Sequence, residues 1–267
     1  GCHQPGRCRA FVAPSIRAPH APVVWLAPDR LVELPAVADR AGSPADADFR
    51  VDRLPAVLDF AFQSAAFETI ARSGPTERLA RHYWYDALYE NGEQTTAQLP
   101  TFLGNHDMGR FAHFVMRESP SISQQELLQR VTLANALMMF ARGAPVIYYG
   151  DEQGFTGDGG DQDAREDMFP SQVASYNDNT LVATAATTAQ SNFDTTHPLY
   201  RAIAAMAAMR TATPALRRGA QVVRAYGDTP GLFAFSRTLG DAEVLVALNT
   251  SRERLSANVE VNITCLL

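Results

Sequence analysis

Between Leu99 and Tyr149 the chain runs through an order of elements that few folds can satisfy. Leu99 to Leu103 is a short apolar run that reads as a buried strand, and it stops at the hydrogen-bonding and ionisable side chains of Asn105, His106 and Asp107. Ser123 with Glu126 three residues later has the form of a capping box. Leu127, Val131, Ala134 and Met138 then recur at helical spacing, and Gly143 supplies the stop. A second apolar run closes the series at Tyr149. Strand, helix and strand in that order form a βαβ unit, because parallel neighbours need a crossover between them.

Polar residues just past the end of a buried strand mark the mouth of a (β/α)8 barrel, where chemistry is done, while the apolar strand residues fill its interior. Pro55 to Phe60 reads as another short buried strand. The expectation is therefore three strands, at about 56–60, 99–103 and 145–149, parallel and adjacent with helices packed outside. Asn105, His106 and Asp107 should face the same cleft as the loop from Asp151 to Arg165, since both leave neighbouring strands at one end. Pro198 to Arg210 reads as a last helix. Alternation returns at Gln221–Arg224, Leu232–Ser236 and Val244–Leu248, separated by Gly and Pro turns.

Residues 1–53 stand apart. Seven of the 16 prolines fall there, each fixing φ and removing a backbone donor, so the stretch reads as irregular and unassigned. The remaining chain divides at about residue 215, giving 54–215 as barrel and 216–267 as a β-domain.

With 46% apolar and 19% charged residues the chain can bury a core. No run approaches about 18 consecutive apolar residues, so no membrane span is expected. A net charge of −6 argues against nucleic acid, whose binders present a basic patch. The cysteines at 2, 8 and 265 lack zinc-type spacing, so no metal site is read from them. The chain itself shows no charged-then-apolar leader, so no signal peptide is expected within it. Location stays open, with an extracellular or periplasmic one favoured, and the oligomeric state is not legible.

Phe102-Leu103-Gly104-Asn105-His106-Asp107 resembles the fourth characteristic region of the α-amylase family of glycoside hydrolases, Phe-x-x-Asn-His-Asp. Gly143 to Gly154 resembles that family's eighth strand and following loop, and Val57-Leu58-Asp59-Phe60 is similar to its sixth strand. The resemblance implies an α/β fold, a partial (β/α)8 TIM-type barrel followed by a small all-β sandwich domain. It implies that Asp107 is the family's third catalytic acid, binding substrate hydroxyls and helping to distort the sugar. His106 would donate a hydrogen bond to the same sugar. Asn105, Arg110, Tyr149, Asp161 and Arg165 would join it in binding substrate, with Arg110 orienting the Asp107 carboxylate.

Each of these residues also has a plainer reading. Asp107 could cap a strand end by accepting backbone amides. Tyr148 and Tyr149 could be core aromatics, and Asp161 with Arg165 a salt bridge on a solvated loop. Asp59 reads as structural, and His82, His113 and His197 have no partners nameable from sequence.

Retaining glycosidases need two carboxyl groups about 5–5.5 Å apart, a nucleophile and a general acid/base. Phe49-Arg50-Val51-Asp52 imitates the family's nucleophile segment but continues into Pro55-Ala56 where the family has Lys-His, and all 23 basic residues of this chain are arginine. Only 55 residues separate Asp52 from Asp107, too few when each βα unit takes roughly 30 residues. No Gly-Glu segment of the kind that carries the acid precedes Val57. The expectation is an α-amylase-type enzyme acting on α-linked glucans such as starch, here as an incomplete chain lacking nucleophile and acid. The alternatives are a non-catalytic carbohydrate-binding protein derived from that fold, and a transglycosylase or sucrose-acting enzyme of the same family. No cofactor is identifiable, and the resemblance allows calcium in a complete member.

Overall fold

The computed structural model describes residues 11–12, 56–89 and 91–261. The imitation segment at Phe49–Asp52, the three cysteines and nearly all of 1–53 lie outside the described residues. Strand β1 (Phe11–Val12) pairs in parallel with Val246 and Ala247 near the chain's other end.

The expected strand at 56–60 is replaced by a helix start. Helix α1 (Phe60–Ala66) begins at once because Asp59 caps it, its carboxylate accepting from the Phe62 amide at 2.8 Å. One sheet-like bond remains, from the Asp59 amide to the Pro100 carbonyl at 2.9 Å. A π-helical turn, Phe67–Ala71, extends α1, and helices α2 (Glu77–Trp84) and α3 (Glu93–Thr96) follow.

Strand β2 (Pro100–Thr101) lies parallel to a later segment, and helices α4 (Phe111–Glu118) and α5 (Gln124–Phe140) make the crossover to it. That partner is strand β3 (Ala144–Pro145), registered with Pro100 opposite Ala144 and Thr101 opposite Pro145. Amides of Ala144 and Val146 donate to the carbonyls of Leu99 and Thr101, each at 2.8 Å. The pairing is parallel and adjacent as expected but much shorter than 99–103 and 145–149. Pro100 and Pro145 carry no amide, so the ladder loses a donor on each strand.

At the start of α5 the Ser123 hydroxyl accepts from the Glu126 amide at 3.2 Å, half of the expected capping box. The Glu126 carboxylate turns elsewhere, to Arg130 at 2.7 Å and Arg252 at 2.8 Å. At the far end, carbonyls left without helical partners are taken by arginines. Arg210 donates to Met139 and Ala141 at 2.6 and 3.0 Å, and Arg237 to Phe140 at 3.0 Å. Burial, with Arg210 nearby, brings the Arg237 guanidinium down to about 10.

Just beyond, Arg142 sits in a buried cluster. It forks onto both Asp86 oxygens at 2.7 and 2.8 Å, pairs with Asp59 and meets the His82 ring at 2.9 Å. Burial works against the Asp59 charge, but His82 and Arg142 hold its carboxyl below the usual value.

After the short helix α6 (Ala174–Asn177) comes α7 (Pro198–Ala212), close to the expected last helix, and then α8 (Pro214–Arg218). His197 caps α7, its Nδ1 accepting from the Leu199 amide at 3.2 Å while Nε2 meets the Val182 carbonyl at 2.9 Å.

Strands β4 (Ala220–Ala225), β5 (Leu232–Leu239) and β6 (Ala242–Asn249) form an antiparallel meander. The second sheet that a sandwich requires is not found among the described residues. The two faces of the sheet meet different neighbours. Phe233, Phe235, Val246 and Leu248 enter the same core as the helices, with Tyr83 of α2 stacked on Phe233 at 6.0 Å, while Ala234 and Leu245 meet Val259 behind. Thr76 ties the two parts together, its hydroxyl accepting from the Gly227 amide at 2.8 Å and donating to the Leu232 carbonyl at 3.0 Å.

Candidate functional site

The polar triplet leaves β2 in a tight turn built by its first member. Asn105 Oδ1 accepts from the amides of Asp107 and Met108, each at 2.9 Å, and the Asn105 and Gly109 backbones exchange hydrogen bonds at 3.1 and 3.0 Å. Gly109 has φ of +109°, and a Cβ there would lie 2.5 Å from the Gly159 carbonyl oxygen. From the other side, a Cβ on Gly160 would lie 2.5 Å from the Asp107 carbonyl oxygen, which accepts instead from the Asp161 amide at 3.2 Å. The two loops therefore touch backbone to backbone at glycines. Side chains at these positions would force them apart.

This packing turns His106 and Asp107 outward, with side chains 54% and 67% exposed. His106 Nε2 lies 3.2 Å from Asp107 Oδ1, and the Arg165 guanidinium comes within 4.0 Å of the same oxygen while pairing with Asp161 at 2.7 Å. Asn105, His106, Asp107, Asp161 and Arg165 are thus brought together. Exposed ion pairs contribute little to stability, so the cluster's value lies in what it offers to solvent. It offers a carboxylate, an imidazole and a guanidinium within reach of one another, a set suited to the hydroxyls of a sugar.

Arg110 is a different case, and its expected role needs correcting. Its side chain is completely buried and makes no contact with the Asp107 carboxylate. Nε donates to Glu166 at 2.5 Å, and Nη1 donates to Asp151 at 2.9 Å and to the Tyr149 carbonyl at 2.8 Å. The guanidinium carbon also lies 4.6, 5.3 and 5.1 Å from the ring centres of Tyr148, Tyr149 and Phe155. It fastens the loop that follows β3 rather than meeting substrate. Burial disfavours its charge, but Asp151 and Glu166 outweigh that and raise its pKa. Burial likewise pushes the Asp151 carboxyl up to about 7, against the pull of Arg110.

The two tyrosines divide. Tyr148 donates to the Ala164 carbonyl at 3.0 Å, a packing role, whereas Tyr149 is 42% exposed beside it. Sequence reasoning missed Glu166, whose second oxygen accepts from the Gly157 amide at 2.6 Å. It also missed the glycines of the Asp158–Asp161 run as contact points. The signal available was a glycine pair flanked by acids in a long loop. Among the described residues no group of three or more His, Cys, Asp or Glu side chains is arranged to hold a metal ion. None of the described helices is long and apolar enough to cross a membrane.

Comparison with known proteins gives a consistent result. The family model of the α-amylase catalytic domain matches residues 47–219. An α-amylase of Streptomyces lividans is 45% identical over 207 residues, covering 77% of this chain and 22% of that protein. A cyclomaltodextrin glucanotransferase of Paenibacillus macerans is 28% identical over 193 residues, covering 72% of this chain and 22% of that one. Among solved structures, an Anoxybacillus α-amylase superposes with a TM-score of 0.58 at 24% identity, over 78% of this chain and 40% of the other. The chain thus spans about a fifth of the length of these two curated relatives.

Proposed function

The chain belongs to the α-amylase family, and on that premise we propose that it forms the Asp107 side of an active site for α-linked glucans, in a glycoside hydrolase built on a TIM-type barrel. The observation that carries this reading is the outward-facing group of His106, Asp107 and Arg165 on a turn braced by the Asp151–Arg165 loop. In it Asp107 accepts hydrogen bonds from two sugar hydroxyls, which strengthen as the ring flattens towards an oxocarbenium-like transition state. His106 donates to the same sugar. Arg165 keeps positive charge beside the Asp107 carboxylate, with Asp161 holding the guanidinium in place. Tyr149 offers a half-open ring to a pyranose face.

Asp107 in this role binds and distorts but neither attacks nor protonates. Those two acts need a nucleophile and an acid, and the family's segments for both lack counterparts ahead of Val57. A transglycosylase reading is kept beside hydrolysis because a relative at 28% identity is a cyclomaltodextrin glucanotransferase, and the two activities differ in the acceptor rather than in these residues.

The test compares the 267-residue chain with its Asp107→Asn variant. Maltose should bind the variant about tenfold more weakly, the equivalent of losing about 1.4 kcal/mol. Starch should be hydrolysed no faster by the native chain than by the variant. Equal maltose affinity would remove Asp107 from the site, and robust hydrolysis abolished by substituting Asp52 would mean that the catalytic set is complete.

A further inference from the structure

Phe169 and Phe193 are the two most exposed large apolar side chains among the described residues, at 70% and 56%, and they touch each other. Their ring centres are 5.1 Å apart with planes at 57°. Scattered exposed apolar residues are ordinary, but these two come from segments 24 residues apart and are brought together by backbone bonds. The Asn192 amide donates to the Met168 carbonyl at 2.9 Å, and the Ser171 amide donates to the Thr188 carbonyl at 2.8 Å. Asn192 is buried and its side chain donates to the carbonyls of Thr187 and Gln190 at 3.1 and 2.8 Å, which fixes the turn before Phe193. The pair is held in place before any ligand arrives, so little ordering entropy remains to be lost on binding.

What surrounds the rings points to a sugar rather than to an apolar partner. Asp167 is exposed two residues before Phe169, with one carboxylate oxygen engaged by the Ser171 hydroxyl at 2.7 Å. Pyranose rings present C–H faces that stack on aromatics and hydroxyl edges that need acceptors, and this patch holds both kinds of group. The patch is also joined to the Asp107 cluster. Tyr176 donates to the carbonyl of Gln162, the neighbour of Asp161, at 2.7 Å, and Asp167 follows Arg165 by two residues, so the segment that carries Phe169 continues directly from the Asp107 cluster.

We propose that Phe169 and Phe193 form a stacking platform for a distal stretch of the same α-glucan chain whose proximal sugar meets Asp107, a reading that rests on the function proposed above. Short sugars would contact the Asp107 cluster alone, and long ones would engage both.

Calorimetric titration of the 267-residue protein with maltose and with maltoheptaose tests this. Changing both residues, Phe169→Ala with Phe193→Ala, should weaken maltoheptaose binding about tenfold and leave maltose within about twofold of the native affinity. Phe193→Trp, which keeps a stacking surface, should hold maltoheptaose at the native level. His106→Ala should weaken both sugars. Unchanged maltoheptaose affinity in the double variant would overturn the platform while leaving the Asp107 reading standing, if His106→Ala still weakens both. A native protein that binds neither sugar would overturn both readings. A double variant that loses thermal stability and both sugars together would assign the pair to folding and overturn the platform.

Discussion

Replacing Arg110 with methionine should destabilise this protein more than any exposed substitution, and by an amount that depends on pH. Methionine fills the space among the rings of Tyr148, Tyr149 and Phe155 but supplies no donor. Glu166 and Asp151 lose bonds of 2.5 and 2.9 Å, and the Tyr149 carbonyl loses one of 2.8 Å. Removing one member of a buried ion pair costs about 3–5 kcal/mol, because the other charge is left without water or partner. The Asp151 side chain keeps 14% exposure, which places the loss near the lower end, at about 3 kcal/mol. For a domain of this size that lowers the unfolding midpoint by roughly 6–12 °C.

The pH dependence follows from Asp151. Its carboxyl is held at about 7 in the folded protein, above the usual 3.8, so the folded state binds the proton more tightly than the unfolded one. Its ionisation therefore takes stability away as pH rises from about 4 through about 7. Without Arg110 the carboxyl rises further, and the deficit extends above neutrality. Thermal unfolding followed by far-UV circular dichroism should show a larger deficit at about pH 8 than at about pH 5, where Asp151 is protonated in both proteins. Adding Asp151→Asn to the variant should remove that difference. A deficit below about 1 kcal/mol at the higher pH, or one equal at both, would refute the reasoning.

Gly109→Ala should damage the site locally. Positive φ and the Gly159 carbonyl oxygen 2.5 Å from the new Cβ together cost about 1–3 kcal/mol, and maltose affinity should fall with the displaced turn; native affinity with native stability would show that the loops do not brace each other. Ser123→Ala removes the one side-chain cap of α5 and should cost about 1 kcal/mol, or roughly 2–4 °C in the unfolding midpoint, without changing sugar binding.

Local rules carried the sequence reading where the chain obeys them locally. Helix α5 follows from Ser123 and the apolar spacing after it, and the turn at Asn105 follows from a short polar side chain that bonds its own backbone. Apolar content overstates the strands because it says nothing of donors, and the two prolines that shorten the ladder sit inside apolar runs. At Asp59 one residue both ends an extended segment and caps a helix, and the extended pattern masked the cap. Arg110 lay beyond local rules altogether. A cation three residues past Asp107 is equally placed to reach out to substrate or inward, and only Glu166 and Asp151, 56 and 41 residues away, decide the direction. Phe169 and Phe193 fell in a loop without periodicity, where no pattern separates an exposed ring from a buried one.

The Thr76 tie has a consequence for how the chain must fold as it is made. Thr76 and Gly227 are 151 residues apart, and Tyr83 waits for Phe233 over a similar span. Helix α2 therefore leaves the ribosome long before the strand that covers it. At about 5–20 residues per second the uncovered face of α2 stays open for roughly 8–30 seconds. Over that interval the helix can find wrong neighbours, so assembly of this chain is a race between the arrival of β5 and misassociation.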